Sequence, residues 1–287
     1  MAKNSQPPHQ QFAANRLMVM AAPNGARRTR IDHPALPITP AELAACARQL
    51  VAVGVSVLHL HVRDEQGQHT LDVARYRDAI TAIRAAVGDE LILQVTTEAV
   101  GRYRADEQMN TVRELRPEAV SIALRELCPD GANEKECAQF FDWLHGERIW
   151  PQLILYNADD LRRFDAMRRR GIFATEQPHC LFVLGRYADN RPGDPAELDA
   201  LLEVVDCSEF PWSVCCFGAT ELSALQHAAR RGGHVRLGFE NNLLLADGSV
   251  AGDNAVLAEQ FIATTRMLPR RPATAAEVRE QLLSLYA

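Results

Sequence analysis

The sequence predicts a (β/α)8 barrel (TIM barrel) that forms a single domain with an extra C-terminal helix. Short apolar segments alternate eight times with stretches that carry apolar residues at helical spacing. Eight such units in about 250 residues match this barrel in number and length. A doubly wound open sheet is the alternative fold. Such a sheet would be expected to carry a phosphate-binding GxGxxG turn after an early strand, and none occurs there.

The predicted strands are short apolar runs, and each is followed by a predicted helix. The strands span residues 17–22, 55–62, 91–96, 119–123, 150–155, 181–184, 212–216 and 235–239. The helices span residues 40–53, 71–87, 104–115, 135–145, 159–170, 195–205, 220–231 and 254–267, and the extra helix spans residues 274–285. Thr39-Pro40 and Asp194-Pro195 place a capping side chain before a proline at the first helical position. We therefore expect a barrel over residues 17–287, preceded by a flexible tail over residues 1–16.

The composition argues against several classes of protein. The chain has 287 residues and a formal charge of −6, which offers no electrostatic attraction to nucleic acid or to anionic membranes. No apolar run is long enough to span a bilayer, and the first sixteen residues lack the apolar core of a signal peptide. The seven cysteines are scattered without a CxxC pair, which predicts reduced thiols in a cytoplasmic protein.

The second predicted strand carries two histidines, His59 and His61, on one face. Side chains alternate along a strand, so Leu58, Leu60 and Val62 point to the other face. Two imidazoles at this spacing can reach one metal ion, and the active site of a barrel gathers at the ends of its strands. The alternative is a pair of core histidines that are satisfied by hydrogen bonds.

The eighth predicted strand places charged residues on its inward face. Val235, Leu237 and Phe239 point outward, so Arg236 and Glu240 face the barrel interior or its mouth. The two charges could simply bridge each other, because a buried charge without a partner is costly. Alternatively, Glu240 completes a site of two histidines and one carboxylate. That ligand set suits Zn²⁺ first, with Mn²⁺, Fe²⁺ or Co²⁺ as other possibilities, and it leaves one coordination position open.

Other strand ends carry polar residues that could contact a substrate. Arg27 lies in the loop after the first strand, which is either part of the mouth or a solvated loop. Thr96, Thr97 and Glu98 follow the third strand, and Ser121 should point inward from the fourth.

As a set, four segments resemble the β-keto acid cleavage enzyme family, which includes the 3-keto-5-aminohexanoate cleavage enzymes. These segments are residues 24–26 (NGA), 33–40 (HPALPITP), 59–63 (HLHVR) and 236–242 (RLGFENN). The resemblance covers nearly the whole chain from about residue 17.

The resemblance implies a zinc-dependent barrel, usually tetrameric, that condenses a β-keto acid with an acyl-CoA, typically acetyl-CoA. The products would be acetoacetate and a new CoA ester. The histidine ligands of the family fall on His59 and His61, and its glutamate ligand falls on Glu240. Its catalytic arginine falls on Arg236, and its serine after the third strand falls on Thr96.

The chain departs from the family pattern at three positions. Asn241 stands where the family has its aspartate base, and an amide cannot take a proton at pH 7. Glu98 or Asp64 could substitute as the base. Arg27 stands where the aminohexanoate enzyme has a glutamate near the substrate ammonium, so we expect a substrate with an anionic or neutral distal group. The asparagine that the family has after the fourth strand falls near Ala123.

These arguments give one set of expected site residues and three functional hypotheses. We expect His59, His61 and Glu240 to bind metal, Arg236, Thr96 and Asn241 to be catalytic, and Arg27, Thr97, Glu98 and Ser121 to bind substrate. The leading hypothesis is a zinc-dependent β-keto acid cleavage enzyme. A metal-dependent hydrolase or lyase with the same ligands, and a metal- or keto-acid-binding protein without a base, are the alternatives.

Overall fold

The computed structural model describes residues 15–129, 133–186, 191–283 and 286. Most of the predicted tail, residues 1–14, lies outside the described residues. The strands are β1 (Arg16–Leu17), β2 (Val19–Ala21), β3 (Val57–Leu60), β4 (Val62–Arg63), β5 (His69–Thr70), β6 (Ile92–Thr96), β7 (Ala119–Ala123), β8 (Trp150–Leu155), β9 (His179–Leu184), β10 (Trp212–Cys216), β11 (His234–Leu237) and β12 (Arg271–Pro272). The helices are α1 (Pro40–Ala52), α2 (Val73–Val87), α3 (Ala105–Leu115), α4 (Leu124–Leu127), α5 (Glu134–Gly146), α6 (Ala158–Arg169), α7 (Pro195–Leu202), α8 (Glu221–Arg230), α9 (Asn254–Thr265) and α10 (Ala275–Leu283).

Eight parallel strands close into a barrel in the order β10-β11-β2-β3-β6-β7-β8-β9. Consecutive barrel strands are joined by segments that contain helices, so the predicted (β/α)8 barrel with its extra C-terminal helix is confirmed. The barrel order makes β11 and β3 the two neighbours of β2. The ends of the last and second barrel strands therefore lie close together, as the metal hypothesis requires.

The alternation of side chains along the strands forms two apolar layers. Outward-facing residues such as Leu58, Val120 and Val235 pack beneath the helices. Inward-facing residues such as Met20 and Leu181 fill the barrel interior. The interior layer continues into Val278 and Leu282 of α10, which therefore covers the N-terminal end of the barrel. The opposite end, where the strands finish, remains open for a ligand.

Helices α1 and α7 begin at the residues that the sequence predicts, Pro40 and Pro195. Thr39 accepts a hydrogen bond from the Glu42 backbone N–H, and the Glu42 side chain accepts one from the Thr39 N–H. Asp194 and Glu197 form the same reciprocal cap on α7. Such caps satisfy backbone donors that have no partner within the helix.

Three features of the fold were absent from the predicted elements. The predicted strand 17–22 is split into β1, which pairs with β12, and β2 of the barrel. The predicted strand 55–62 is likewise split, and β4 turns out of the barrel to pair with β5 in an antiparallel hairpin. A one-turn helix, α4, follows β7 directly. No helix within the described ranges combines the length and the apolar character that crossing a bilayer requires.

Candidate metal and substrate site

His59 and His61 lie at the C-terminal end of β3 and point into the barrel mouth. Both are buried, and their Nε2 atoms are 3.0 Å apart. Leu58, Leu60 and Val62 pack in the outer core, as the alternation along a strand predicts. Two neutral imidazoles cannot both point a lone pair at each other without repulsion. A proton or a cation must therefore lie between these two nitrogens.

Glu240 follows β11 and points at the same spot. Its Oε2 lies 3.7 Å from the Nε2 of His59 and 3.6 Å from the Nε2 of His61. Gly25, in the loop after β2, packs directly on this carboxylate. Its φ is +60°, and a Cβ added there would lie 2.5 Å from the Cγ of Glu240. The loop after β2 therefore fixes the position of Glu240, and only glycine leaves room for it.

The three ligand atoms fit a divalent cation. They form a triangle with sides of 3.0, 3.6 and 3.7 Å. Tetrahedral metal bonds of about 2.0–2.1 Å place neighbouring ligand atoms about 3.3–3.4 Å apart, which is close to these sides. The Oε2 of Glu240 is buried and has no hydrogen-bond partner among the described residues. A buried carboxylate oxygen without a donor is costly, and a cation at the centre of the triangle would satisfy it.

Gln94 of β6 orients His59. The Oε1 of Gln94 lies 2.9 Å from the Nδ1 of His59, so the Nδ1–H donates to it and the Nε2 lone pair is left for a cation. Burial, and then the charge of Arg236, hold the pKa of His59 well below its usual value, which keeps this imidazole neutral. His61 is fixed through its backbone, because the Nδ2 of Asn24 donates to the His61 carbonyl at 3.1 Å.

Arg236 lies beneath Glu240 and is 3% exposed. Its Nη2 donates to the Oε1 of Glu240 at 3.2 Å and contacts the Sγ of Cys215 at 3.4 Å. Burial alone would raise the pKa of Glu240, but Arg236 and the two histidines together hold that pKa well below its usual range. The Oε1 of Glu240 therefore faces Arg236, and its Oε2 faces the two histidines.

A cavity of about 280 Å³ opens above these residues at the barrel mouth. Six of the residues predicted for the site line it: they are Arg27, His59, Thr96, Glu98, Arg236 and Glu240. The cavity is rich in charge, with five arginines and three glutamates in its wall.

The model of the beta-keto acid cleavage enzyme family matches residues 16–283. The chain belongs to this family. A 3-keto-5-aminohexanoate cleavage enzyme of Fusobacterium nucleatum is 30% identical over 276 residues, which cover 94% of this chain and 98% of the relative. A 3-oxoadipate:acetyl-CoA acetyltransferase of Cupriavidus necator is 26% identical, over 92% of this chain and 94% of the relative.

The solved structures agree on the fold. ObcA in its binary complex with oxaloacetate superposes with a TM-score of 0.70 at 14% identity, covering 87% of this chain and 67% of that chain. At this identity the likeness shows the barrel fold alone.

Two residues predicted to bind substrate lie outside the lining of the cavity. The Oγ1 of Thr97 donates to the carbonyl of Ser121 at 3.1 Å and so joins β6 to β7. Ser121 points inward but lies one layer below the mouth. Ala123, two residues further along β7, lines the cavity instead. The roles of Thr97 and Ser121 as substrate contacts stay predictions.

The two carboxylates considered as substitutes for the family's base differ in position. Asp64 is used in a turn, because its Oδ1 accepts from the backbone N–H groups of Gln66 and Gln68. Glu98 lines the cavity, and its Oε2 lies 3.9 Å from the Nδ1 of His61. Burial raises the pKa of Glu98. Asn241 is fully buried beside a neighbouring cavity.

The sequence analysis missed a polar wall built by α4 and the end of β8. The guanidinium of Arg125 stacks 4.3 Å from the ring centroid of Tyr156 and is paired with Asp160. The Oε2 of Glu126 accepts from the Ala99 N–H at 2.9 Å. Arg125, Glu126 and Tyr156 all line the cavity. Their positions after the fourth and fifth barrel strands were the signal that could have found them.

The adjacent Cys215 and Cys216 offer no nucleophile. Burial raises the pKa of Cys215 to about 11 and that of Cys216 to about 12. Both thiols are therefore protonated at pH 7, and the thiolate is the reactive form.

Proposed function

We propose that the protein is a zinc-dependent enzyme that condenses a β-keto acid with acetyl-CoA and yields acetoacetate and a new CoA ester. The observation that carries the proposal is the buried triangle of His59, His61 and Glu240 at the barrel mouth. Its family membership supports the reaction class, since relatives include an acetyl-CoA acetyltransferase for 3-oxoadipate. Another divalent ion could take the place of zinc.

Arg236 is suited to hold the keto acid. Its Nε and Nη1 are buried and have no partner within the described part of the chain. A guanidinium fork with two unused donors matches a carboxylate or a developing oxyanion. A metal held by the triangle would act as a Lewis acid and polarise the ketone oxygen. Thr96, whose Oγ1 accepts from the Glu98 N–H at 3.0 Å, keeps the hydroxyl that the family has here.

Glu98 is the carboxylate that we propose as the base. The condensation of the keto acid with acetyl-CoA requires removal of a proton from C2 of the keto acid. The resulting carbanion bonds to the thioester carbon of acetyl-CoA, and the CoA thiolate leaves. The thiolate then bonds to C3, the C2–C3 bond breaks, and C2 regains its proton. Glu98 lines the cavity and can hold that proton between the two steps, whereas the Asn241 amide cannot.

The charge of the cavity favours a substrate that is not a cationic amino acid. Arg27 is exposed at the mouth and stands where the aminohexanoate enzyme has a glutamate. Arg125 lines the same wall, but its charge is paired with Asp160. An ammonium group would be repelled by Arg27. We therefore propose a β-keto acid whose distal group is anionic or neutral.

The test is a screen of metal-loaded protein with acetyl-CoA against β-keto acids that carry anionic, neutral or cationic distal groups. We expect acetoacetate and a new CoA ester, detected by mass spectrometry, with anionic or neutral acids and not with 3-keto-5-aminohexanoate. Glu98→Gln should lower kcat by about 100-fold or more if it moves the proton. Absence of any new CoA ester across the panel would overturn the proposal, as would turnover that needs no CoA thioester.

We further propose that the enzyme is a cytoplasmic homo-tetramer. The seven cysteines are scattered without a CxxC pair and are all buried, which suits a reducing compartment. Light scattering of the purified protein would give the mass of the assembly.

A further inference from the structure

One interior layer of the barrel is polar. In barrels of this fold, alternate strands contribute the four side chains of each interior layer, and bulky apolar residues usually fill it. Here the strands β2, β6, β8 and β10 contribute Met20, Gln94, Gln152 and Ser213, which are all fully buried. We call these four residues the polar layer. Burying two amides and a hydroxyl is costly unless hydrogen bonds satisfy them, so apolar side chains would fill this layer at a lower cost.

Hydrogen bonds connect the polar layer to a histidine on each side. The Oε1 of Gln94 lies 2.9 Å from the Nδ1 of His59, and the Nε2 of Gln94 donates to the Oε1 of Gln152 at 3.2 Å. The Nε2 of Gln152 donates to the Oγ of Ser213 at 3.5 Å. That hydroxyl lies 2.7 Å from the Nε2 of His179, deeper in the barrel. Both amides therefore have a partner for the oxygen and a partner for the nitrogen.

Met20 determines the direction of this series of hydrogen bonds. Its sulfur lies 3.6 Å from the Nε2 of Gln152, and a thioether can accept a hydrogen bond but cannot donate one. The nitrogen of the Gln152 amide must therefore face Met20, which turns the oxygen of that amide towards Gln94. Gln94 must then donate with its own nitrogen. Its oxygen is left to accept the Nδ1–H of His59.

The two histidines of the metal triangle do not determine this arrangement by themselves. The Nε2 atoms of His59 and His61 are 3.0 Å apart, so either neutral imidazole can donate to the other. Only the tautomer of His59 with its proton on Nδ1 offers the Nε2 lone pair to a cation. A reversed Gln94 amide would point an N–H at the Nδ1, and the proton of His59 would then move to the Nε2, where the cation binds.

We propose that the polar layer fixes the tautomer of His59, so that Met20, Gln152 and Ser213 are positioning residues for a metal that none of them touches. Groups that orient a ligating histidine from behind commonly change metal affinity by 10- to 100-fold. In this protein the orienting group is itself oriented, by residues from three further strands of the barrel. This inference rests on the metal site of the proposed function.

The test is nitrogen-15 NMR of the histidine rings in the full-length, metal-free protein at about pH 8, where imidazoles are neutral. The spectrum shows which ring nitrogen carries the proton, and the signals that His59→Gln removes are those of His59. We expect the proton on Nδ1 in the wild type. In the double variant Met20→Leu/Ser213→Ala, the nitrogen of Gln152 loses both acceptors, so we expect a mixture of the two tautomers of His59. Both substitutions nearly conserve shape, so the variant should fold.

Zinc affinity gives a second readout, measured by competition with a coloured chelator. We expect the double variant to bind zinc about tenfold more weakly than the wild type. Met18→Leu/Ser56→Ala is the matched control, because it also removes one buried sulfur and one buried hydroxyl. Met18 packs in the same interior cluster as Met20, and the hydroxyl of Ser56 donates to the Val19 carbonyl at 3.3 Å. The control should keep both the tautomer and the zinc affinity of the wild type.

The outcomes separate this inference from the proposed metal site. A single Nδ1–H tautomer of His59 in the double variant would overturn the role of the polar layer. Equal zinc affinity in the double variant and the wild type, or the same change of tautomer in the control, would overturn it too. A tautomer that depends on the polar layer, in a wild type that binds no divalent ion, would support control of the tautomer and overturn the metal site.

Discussion

At the scale of single residues, Gln94 determines which nitrogen His59 presents to a cation. Its Oε1 accepts from the Nδ1–H at 2.9 Å, and its Nε2 donates to Gln152 at 3.2 Å. Gln94→Leu removes the acceptor, so we expect zinc affinity to fall about 10- to 100-fold. Competition with a coloured chelator measures the change. Gln94→Glu keeps an acceptor at the same place and should retain more of the affinity. Equal affinity in Gln94→Leu and the wild type would contradict this role.

Gly25 supplies a second test at this scale, with a matched control elsewhere in the chain. Gly25 and Gly67 both have positive φ, +60° and +75°. The backbone strain of an alanine at either position should lower the free energy of unfolding by about 1–2 kcal/mol. Only the Cβ at position 25 would meet Glu240, whereas nothing lies within 4 Å at position 67. Gly25→Ala should therefore also lower zinc affinity by about tenfold or more. Loss of zinc in both variants, or in neither, would argue against this packing.

At the scale of elements, the two ends of the barrel have different roles. The loops at the C-terminal ends of the strands carry the site, and α10 covers the other end. Arg279 of α10 donates to the Asp89 and Leu91 carbonyls and pairs with Glu118. These contacts join α10 to the starts of β6 and β7.

Arg279→Ala should destabilise the protein by about 1–2 kcal/mol while zinc affinity stays unchanged, because the site lies at the opposite end. Urea unfolding measures the loss. Glu280, the next residue, is exposed, so Glu280→Ala should have little effect. A fall in zinc affinity in Arg279→Ala would show that the two ends are coupled.

The sequence predicted correctly those features of the fold that the periodicity of apolar side chains alone determines. The side-chain alternation in β3 placed His59 and His61 inward, because a strand that is buried on both faces permits no slip of register. The same pattern could not show that β4 leaves the barrel after His61. That break depends on the pairing of β4 with β5, and residues 69–70 look like part of a loop when the sequence is read alone.

At the scale of the whole molecule, stability depends on histidines that are buried in the neutral form. Burial lowers the pKa of His179, in the lower barrel interior, to about 3 from its usual 6.5. Above pH 6.5 its neutral form contributes full stability. As the pH falls from 6.5 towards 3, the unfolded chain takes up a proton that the folded chain cannot, so stability is lost. One such histidine contributes a slope of about 1.4 kcal/mol per unit of pH.

We expect His179→Gln to reduce that slope by about this amount between pH 4 and pH 6, as measured by urea unfolding at each pH. The Nε2 of His179 lies 2.7 Å from the Oγ of Ser213. Ser213→Ala removes this partner but leaves the buried imidazole, so it should shift stability at every pH and keep the slope. An unchanged slope in His179→Gln would mean that other groups control acid unfolding.

The assembly of the site from distant segments explains what the sequence could not provide. Fold class and ligand identity followed from local patterns and from the family motifs. The wall of Arg125 and Tyr156, the pairing of Gln94 with His59, and the contact of Gly25 with Glu240 depend on how strands are packed around the barrel. No spacing within the chain encodes those distances.

The most direct test of the central claim is zinc K-edge X-ray absorption of protein that has been loaded with one equivalent of zinc. We predict one tightly held ion per chain with nitrogen and oxygen ligands alone at about 2.0–2.1 Å, including two imidazoles. His61→Ala should lose one imidazole from that spectrum or lose the ion. Sulfur scattering at about 2.3 Å, or an ion that is held equally well without His61, would contradict the account.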